Sequence, residues 1–252
     1  MPSSTFESLK GLPAASDARL PLVKTLGLIG GMSWESTVPY YRTINRIVSE
    51  RLGGYHSAKI VLYSVDFHDI EVLQHEGKWD ESGDRLADAA RAVRRAGADI
   101  IVLCTNTMHK VAERIECAVD VPLLHIADAT AGRVKSAGLT RVGLLGTRFT
   151  MEEEFYRGRL ERQHGLTVLT PPREQRDLVH AVIYDELCLG VVRDTSREAF
   201  RQIVSDLVAR GVQGVILGCT EIGLLLRPED ASVALFDTAA IHAETAARWA
   251  LE

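Results

Sequence analysis

The chain runs to 252 residues, 46% of them apolar and 25% charged, which is material for one large domain or two smaller ones and excludes disorder for its bulk. A formal net charge of −5 leaves no basic footprint, so neither nucleic acid nor an anionic membrane is the expected partner; a small molecule is. No window approaches the ~20 apolar residues of a membrane span, and the first 22 residues lack the apolar core of a signal peptide, so a cytoplasmic protein is expected.

Residues 1–23 are small, polar and punctuated by proline, and read as a loosely ordered leader. From Lys24 short β-branched runs alternate with helical patterns, which predicts βαβ units and mainly parallel sheets. TLGLIGG at Thr25–Gly31 returns as RVGLLGT at Arg141–Thr147, so Gly27 matches Gly143 and Gly30 matches Gly146. DIIVLCTNT, ending at Thr107, returns as GVILGCTEI, ending at Ile222, at a spacing one residue shorter, and this match sets Cys104 against Cys219. A helical face precedes each: Leu86, Ala89, Ala90 and Val93 before Gly97, then Phe200, Ile203, Val204 and Leu207 before Gly211. Thr195 and Glu198 read as a capping box opening the second helix. A fainter match sets PLLHIAD, from Pro122, beside VALFDTA, from Val233.

Matches in one order imply internal duplication. The expected fold is two pseudo-symmetric α/β lobes, residues 24–128 and 129–238, with the active-site cleft between them at the carboxyl ends of their strands. A C-terminal helix, about 239–252, is expected to return to the first lobe.

Cys104 and Cys219 each end a strand and each precede threonine, which predicts two thiols facing one another across the cleft at strand-to-helix turns. Helix N-termini lower a thiol pKa and attract carboxylate, so such turns can hold a thiolate and an anion together. Two opposed acid/base groups around an anion suit removal of a proton from one face of a carbon and its return on the other. Cys117 and Cys188 lack duplicate partners and read as structural thiols. GLIGG lacks the dinucleotide spacing, and Cys104 with His109 supplies two ligands where zinc needs four, so neither nucleotide nor metal is expected. His109 is expected on a helix surface, and Asp66, Phe67 and His68 are second-rank candidates for lining the cleft.

CTNT at Cys104–Thr107, GCTE at Gly218–Glu221 and GLIGGMSWES at Gly27–Ser36 resemble the aspartate/glutamate racemase superfamily, and most closely its aspartate racemase branch with the broad-specificity amino-acid racemases. The resemblance implies a racemase that needs neither pyridoxal phosphate nor metal, with Cys104 and Cys219 as its two bases. It further implies a substrate-binding set of Met32, Ser33, Thr105, Asn106, Thr107, Thr147, Thr220 and Glu221, and a homodimer. Glu221 stands where the glutamate racemase branch carries histidine, which favours the aspartate or broad branch. Arg176 matches, by resemblance, a basic residue that binds the substrate's side-chain carboxylate. Hydantoin racemase and maleate isomerase are alternatives within the superfamily. A two-lobed amino-acid binding protein without chemistry is the alternative outside it.

Overall fold

The structure, a computed structural model, describes residues 23–252, so the leader reading falls almost entirely outside the described residues. Two four-stranded parallel sheets organise the chain. The first comprises β1 (Thr25–Gly30), β2 (Lys59–Ser64), β3 (Ile100–Leu103) and β4 (Leu123–Leu124) in the order β2-β1-β3-β4. The second repeats it with β5 (Arg141–Gly146), β6 (Thr167–Leu169), β7 (Gly214–Gly218) and β8 (Ala234–Asp237) in the order β6-β5-β7-β8. The central strands β3 and β7 are buried along their whole length, which is why their sequences are continuous apolar runs rather than alternations.

The helix Trp79–Arg95 buries Leu86, Ala89, Ala90 and Val93 as its spacing requires, and carries Asp80 and Glu81 in its first turn and Arg94 and Arg95 in its last, complementing the helix dipole. Gly97, at φ 99°, turns the chain towards β3 in a conformation that disfavours side chains. Asp194–Ala209 repeats the buried face before β7 with Phe200, Ile203, Val204 and Leu207, without the basic last turn. Its expected capping box does not form: the helix begins at Asp194, which moves Thr195 into the first turn, and Arg193 at the N-cap makes no side-chain bond.

Two helices cross between the lobes. Ile126–Ser136 follows β4, yet Ile126, Ala131 and Val134 pack into the core of the second sheet. Thr238–Ala250 follows β8, yet Ala239, Ala243, Ala246 and Ala247 pack against Leu26, Leu28, Tyr40 and Ile44 of the first lobe. Small residues along one face let this helix approach closely, so each lobe's core is completed by a helix that leaves the other. Among the described residues, no helix is long and apolar enough to cross a membrane.

The strand register fixes how the two halves correspond. Gly27 pairs with Ile101, and its repeat Gly143 pairs with Val215. Followed to the strand ends, this register makes Cys104 the counterpart of Gly218 and Thr105 the counterpart of Cys219. The correspondence is one residue away from the match of cysteine with cysteine.

Candidate functional site

The carboxyl ends of β1, β3, β5 and β7 meet around a closed cavity of about 20 Å³ between the lobes. The β3 turn contributes Thr105, Asn106 and Thr107, the β5 turn Thr147, the β7 turn Cys219, Thr220 and Glu221, and the β1 turn Met32. Gly31 makes the last of these possible: at φ 90°, a Cβ there would lie 2.2 Å from the Val65 carbonyl oxygen. Helices close the remaining wall with Phe67, Gln74, Ile183 and Tyr184, joined by Cys188.

Glu221 is 1% exposed and its carboxylate is fully engaged. The Cys219 thiol donates to Oε2 at 3.0 Å and the Thr220 hydroxyl to the same oxygen at 2.8 Å. The Ser33 hydroxyl and backbone N–H, from the opposite lobe, donate to Oε1 at 2.9 and 3.1 Å. Burial, and then the charge of Glu221, push the Cys219 thiol well above its usual range. The resting pair is therefore a protonated thiol beside a carboxylate that can accept its hydrogen. Ser33 reaches the site only by its bonds to Glu221, and it lines a larger outer cavity rather than the closed one.

Cys104 does not face the cleft. It is completely buried, its Sγ directed to the Val102 carbonyl at 3.6 Å, and it packs with Ile100, Val102 and Tyr40 beneath the C-terminal helix. The cause is strand alternation: Ile100, Val102 and Cys104 share one face of β3 while Ile101 and Leu103 share the other, so a slip of one residue exchanges core for cleft. Thr105 takes the cavity position instead, with a hydroxyl where the second lobe has the Cys219 thiol.

Asn106 is 2% exposed and carries an unsatisfied acceptor. The Thr238 hydroxyl donates to the Leu217 carbonyl at 2.7 Å, so it can only accept from Asn106, whose Nδ2 lies 2.9 Å away. This fixes the amide orientation and leaves Asn106 Oδ1 buried and, among the described residues, without a partner, in a residue that lines the cavity. Thr107 and Thr147, from different lobes, join hydroxyls at 3.0 Å, and Thr150 continues the chain at 3.2 Å. When Thr150 donates to Thr147 and Thr147 to Thr107, the Thr107 hydroxyl hydrogen remains for a ligand oxygen.

Arg176 lies outside this constellation. It belongs to the helix Arg173–Asp185, donates to Glu152 at 2.7 Å and to the Pro171 carbonyl at 2.8 Å, and lines a separate surface depression with Arg148 and Asp177. His109 is buried rather than superficial, with Nδ1 donating to the Thr105 carbonyl at 2.7 Å and Nε2 accepting from the Ile126 N–H at 3.2 Å. Phe67 lines the closed cavity, whereas His68 belongs to the outer one. Sequence reasoning missed Gln74, Ile183 and Tyr184, and treated Cys188 as purely structural. A buried glutamine on an otherwise apolar helical face was the one signal for Gln74.

Three known proteins are similar to this chain. A solved structure from Yersinia pestis, named for the Asp/Glu racemases, is 59% identical, covers 91% of this chain and all of its own, and superposes with a TM-score of 0.85. An aspartate racemase homologue from Pyrococcus horikoshii is 35% identical over 91% of this chain and 100% of its own, with a TM-score of 0.78. The broad-specificity amino-acid racemase RacX of Bacillus subtilis is 22% identical over 228 residues, 87% of this chain and 95% of RacX. The family model for Asp/Glu/hydantoin racemases matches residues 29–246, through both lobes and every turn that lines the cavity, and the chain belongs to that family.

Proposed function

We propose that the protein is an amino-acid racemase that works without pyridoxal phosphate, moving the α-proton between Cys219 on one lobe and the wall held by Thr105 on the other. The observation that carries this reading is the buried Asn106 Oδ1, an acceptor without a partner beside a thiol–carboxylate pair. An α-ammonium satisfies that oxygen, while the Thr107 hydroxyl donates to the α-carboxylate. Cα then lies between the two lobes. Glu221 takes the thiol hydrogen, and the Cys219 thiolate removes the α-proton. The electron pair of the broken C–H bond spreads into the carboxylate, where the threonine hydroxyl stabilises it. A proton given by the Thr105 hydroxyl to the opposite face inverts the centre, and water admitted as the lobes part carries the proton held by Glu221 back to the Thr105 oxygen, so thiol, carboxylate and hydroxyl are all restored.

A cavity of about 20 Å³ holds roughly one water, so the substrate enters when the lobes part and reacts when they close. The expected two-cysteine arrangement becomes a thiol opposite a hydroxyl. The test is incubation of L- and D-amino acids in heavy water, following loss of Cα–H by NMR and optical purity by chiral chromatography. Exchange coupled to inversion is expected. A protein that binds amino acids yet leaves every Cα–H intact is a binding protein, and the proposal falls.

A further inference from the structure

The wall between the closed cavity and its mouth is built for a particular kind of side chain. Phe67, Tyr184 and Cys188 line both the closed cavity and an outer one of about 590 Å³, so they form the boundary a substrate side chain faces when it points outward. At this boundary the Tyr184 hydroxyl donates to Gln74 Oε1 at 2.9 Å, a bond joining the two lobes. Gln74 is only 5% exposed, and its NH2 meets a single acceptor among the described residues, the Met108 thioether at 2.9 Å. Sulfur is a weak acceptor, so a buried amide donor stands underused next to a phenol that can both donate and accept.

No lysine or arginine lines the cavity or its mouth among the described residues; His68, His75 and His180 also line the mouth, and His75 is already paired with Glu71 at 3.1 Å. Glu221 stands inside the cavity, and Glu71 and Asp185 line the mouth. Arg176, the cation expected to receive a second carboxylate, is turned to Glu152 at a different surface. A carboxylate side chain placed against Phe67, Ile183 and Tyr184 would be desolvated among apolar groups and anions.

We infer that the preferred substrate carries an uncharged hydrogen-bonding side chain, a hydroxyl or a carboxamide, read by Gln74 and Tyr184. The inference rests on the racemase reading above and narrows it away from aspartate and glutamate. A hydroxyl or amide oxygen accepts from Gln74 Nε2, and the side chain's own O–H or N–H donates to the Tyr184 oxygen, whose hydrogen Gln74 Oε1 already holds, so no buried polar group is left alone.

Two measurements test it. The first compares heavy-water exchange by the wild-type protein for serine, threonine, asparagine, glutamine, alanine, aspartate and glutamate. At least one hydroxyl or amide substrate is expected to exceed aspartate and glutamate in kcat/KM by roughly tenfold or more. Fastest turnover of aspartate or glutamate overturns the inference while leaving the racemase intact; no exchange with any amino acid removes the racemase reading itself. The second compares Q74L and Y184F with wild type by the ratio of kcat/KM for the best polar substrate to that for alanine. Loss of a hydrogen bond between uncharged partners should lower the ratio roughly two- to tenfold in each. An unchanged ratio, with both substrates affected alike, makes these residues structural and the inference wrong. Circular dichroism on each variant separates misfolding from altered selectivity.

Discussion

The Cys219 thiol hydrogen points at Glu221 Oε2 from 3.0 Å, and the same carboxylate holds Ser33 of the opposite lobe at 2.9 Å. One buried carboxylate thus joins the proposed acid/base group to the opposite lobe. Burial, and after it the charge of Glu221, hold the thiol above its usual range, so removing that charge should ease ionisation of the thiol while taking away its proton acceptor. In E221Q the pH midpoint for iodoacetamide labelling of Cys219 should fall, because a neutral amide no longer opposes the thiolate. Racemisation should nevertheless drop about 10–150-fold, as expected for losing a charge-assisted bond that receives the proton. E221D should recover part of the rate. If the labelling midpoint stays put or rises in E221Q, Glu221 does not couple to the thiol.

The two cysteines that the sequence pairs should behave differently. C219A should lose exchange by about 10²–10⁴-fold, the contribution of a positioned base. C104A leaves the cavity unaltered and removes a sulfur from a packed interior, so it should keep most of its exchange rate and cost about 1 kcal/mol of stability in denaturant unfolding. T105A should separate two events: deuterium still enters from the Cys219 face, but inversion falls well below exchange because the opposite wall has lost its proton donor. Full loss of exchange in a folded C104A, with C219A active, would reverse the assignment.

Duplication, parallel sheets and the cleft were legible because glycine turns and buried apolar runs repeat in the sequence in one order. The cavity position on the first lobe was not, because matching Cys104 to Cys219 by residue type overrode a one-residue difference that only the β1–β3 and β5–β7 registers resolve. With a period of two, that single residue separates a thiol in the core from a hydroxyl in the cleft. Gln74 and Tyr184 come from helices of different lobes, far from any repeated motif, and meet across the cleft, so no local pattern announces them. Asn106 was found as part of a motif, but its role follows from the Thr238 hydroxyl that orients it.

Arg176 was expected to read a substrate carboxylate and instead pairs with Glu152. R176A should therefore leave kcat/KM for aspartate, glutamate and neutral amino acids at wild-type values. A surface pair of this kind contributes about 0–1 kcal/mol, so the loss of stability should be small. A selective fall for aspartate alone, measured by chiral chromatography, would return Arg176 to the site in an open form.

Acid should destabilise the protein through three histidines beneath the β3 turn. His109 and His125 lie with ring centroids 4.4 Å apart, and His109 and His242 6.0 Å apart. Each is committed as a neutral ring: His109 Nε2 accepts from the Ile126 N–H, His125 Nδ1 from the Ala127 N–H, and His242 Nδ1 from the Tyr40 hydroxyl while its Nε2 donates to the Leu124 carbonyl. A second proton would turn an acceptor towards a donor. Burial accordingly lowers all three, His242 to about 4 and His125 to about 3. Folded values below the unfolded value of about 6.5 mean that the unfolded chain binds these protons first, so stability is complete above that pH and falls as pH drops through the window towards 4 and 3. Asp128, held down to about 2 by Arg159 and His164 against the opposing effect of burial, adds a loss only below the ordinary carboxylate range. Thermal unfolding between pH 7.5 and 4.5 should therefore show Tm declining mainly below 6.5, with H125N flattening the slope. A Tm that is constant to pH 4.5 in the wild type would mean that these rings are charged, or exposed, in the folded protein.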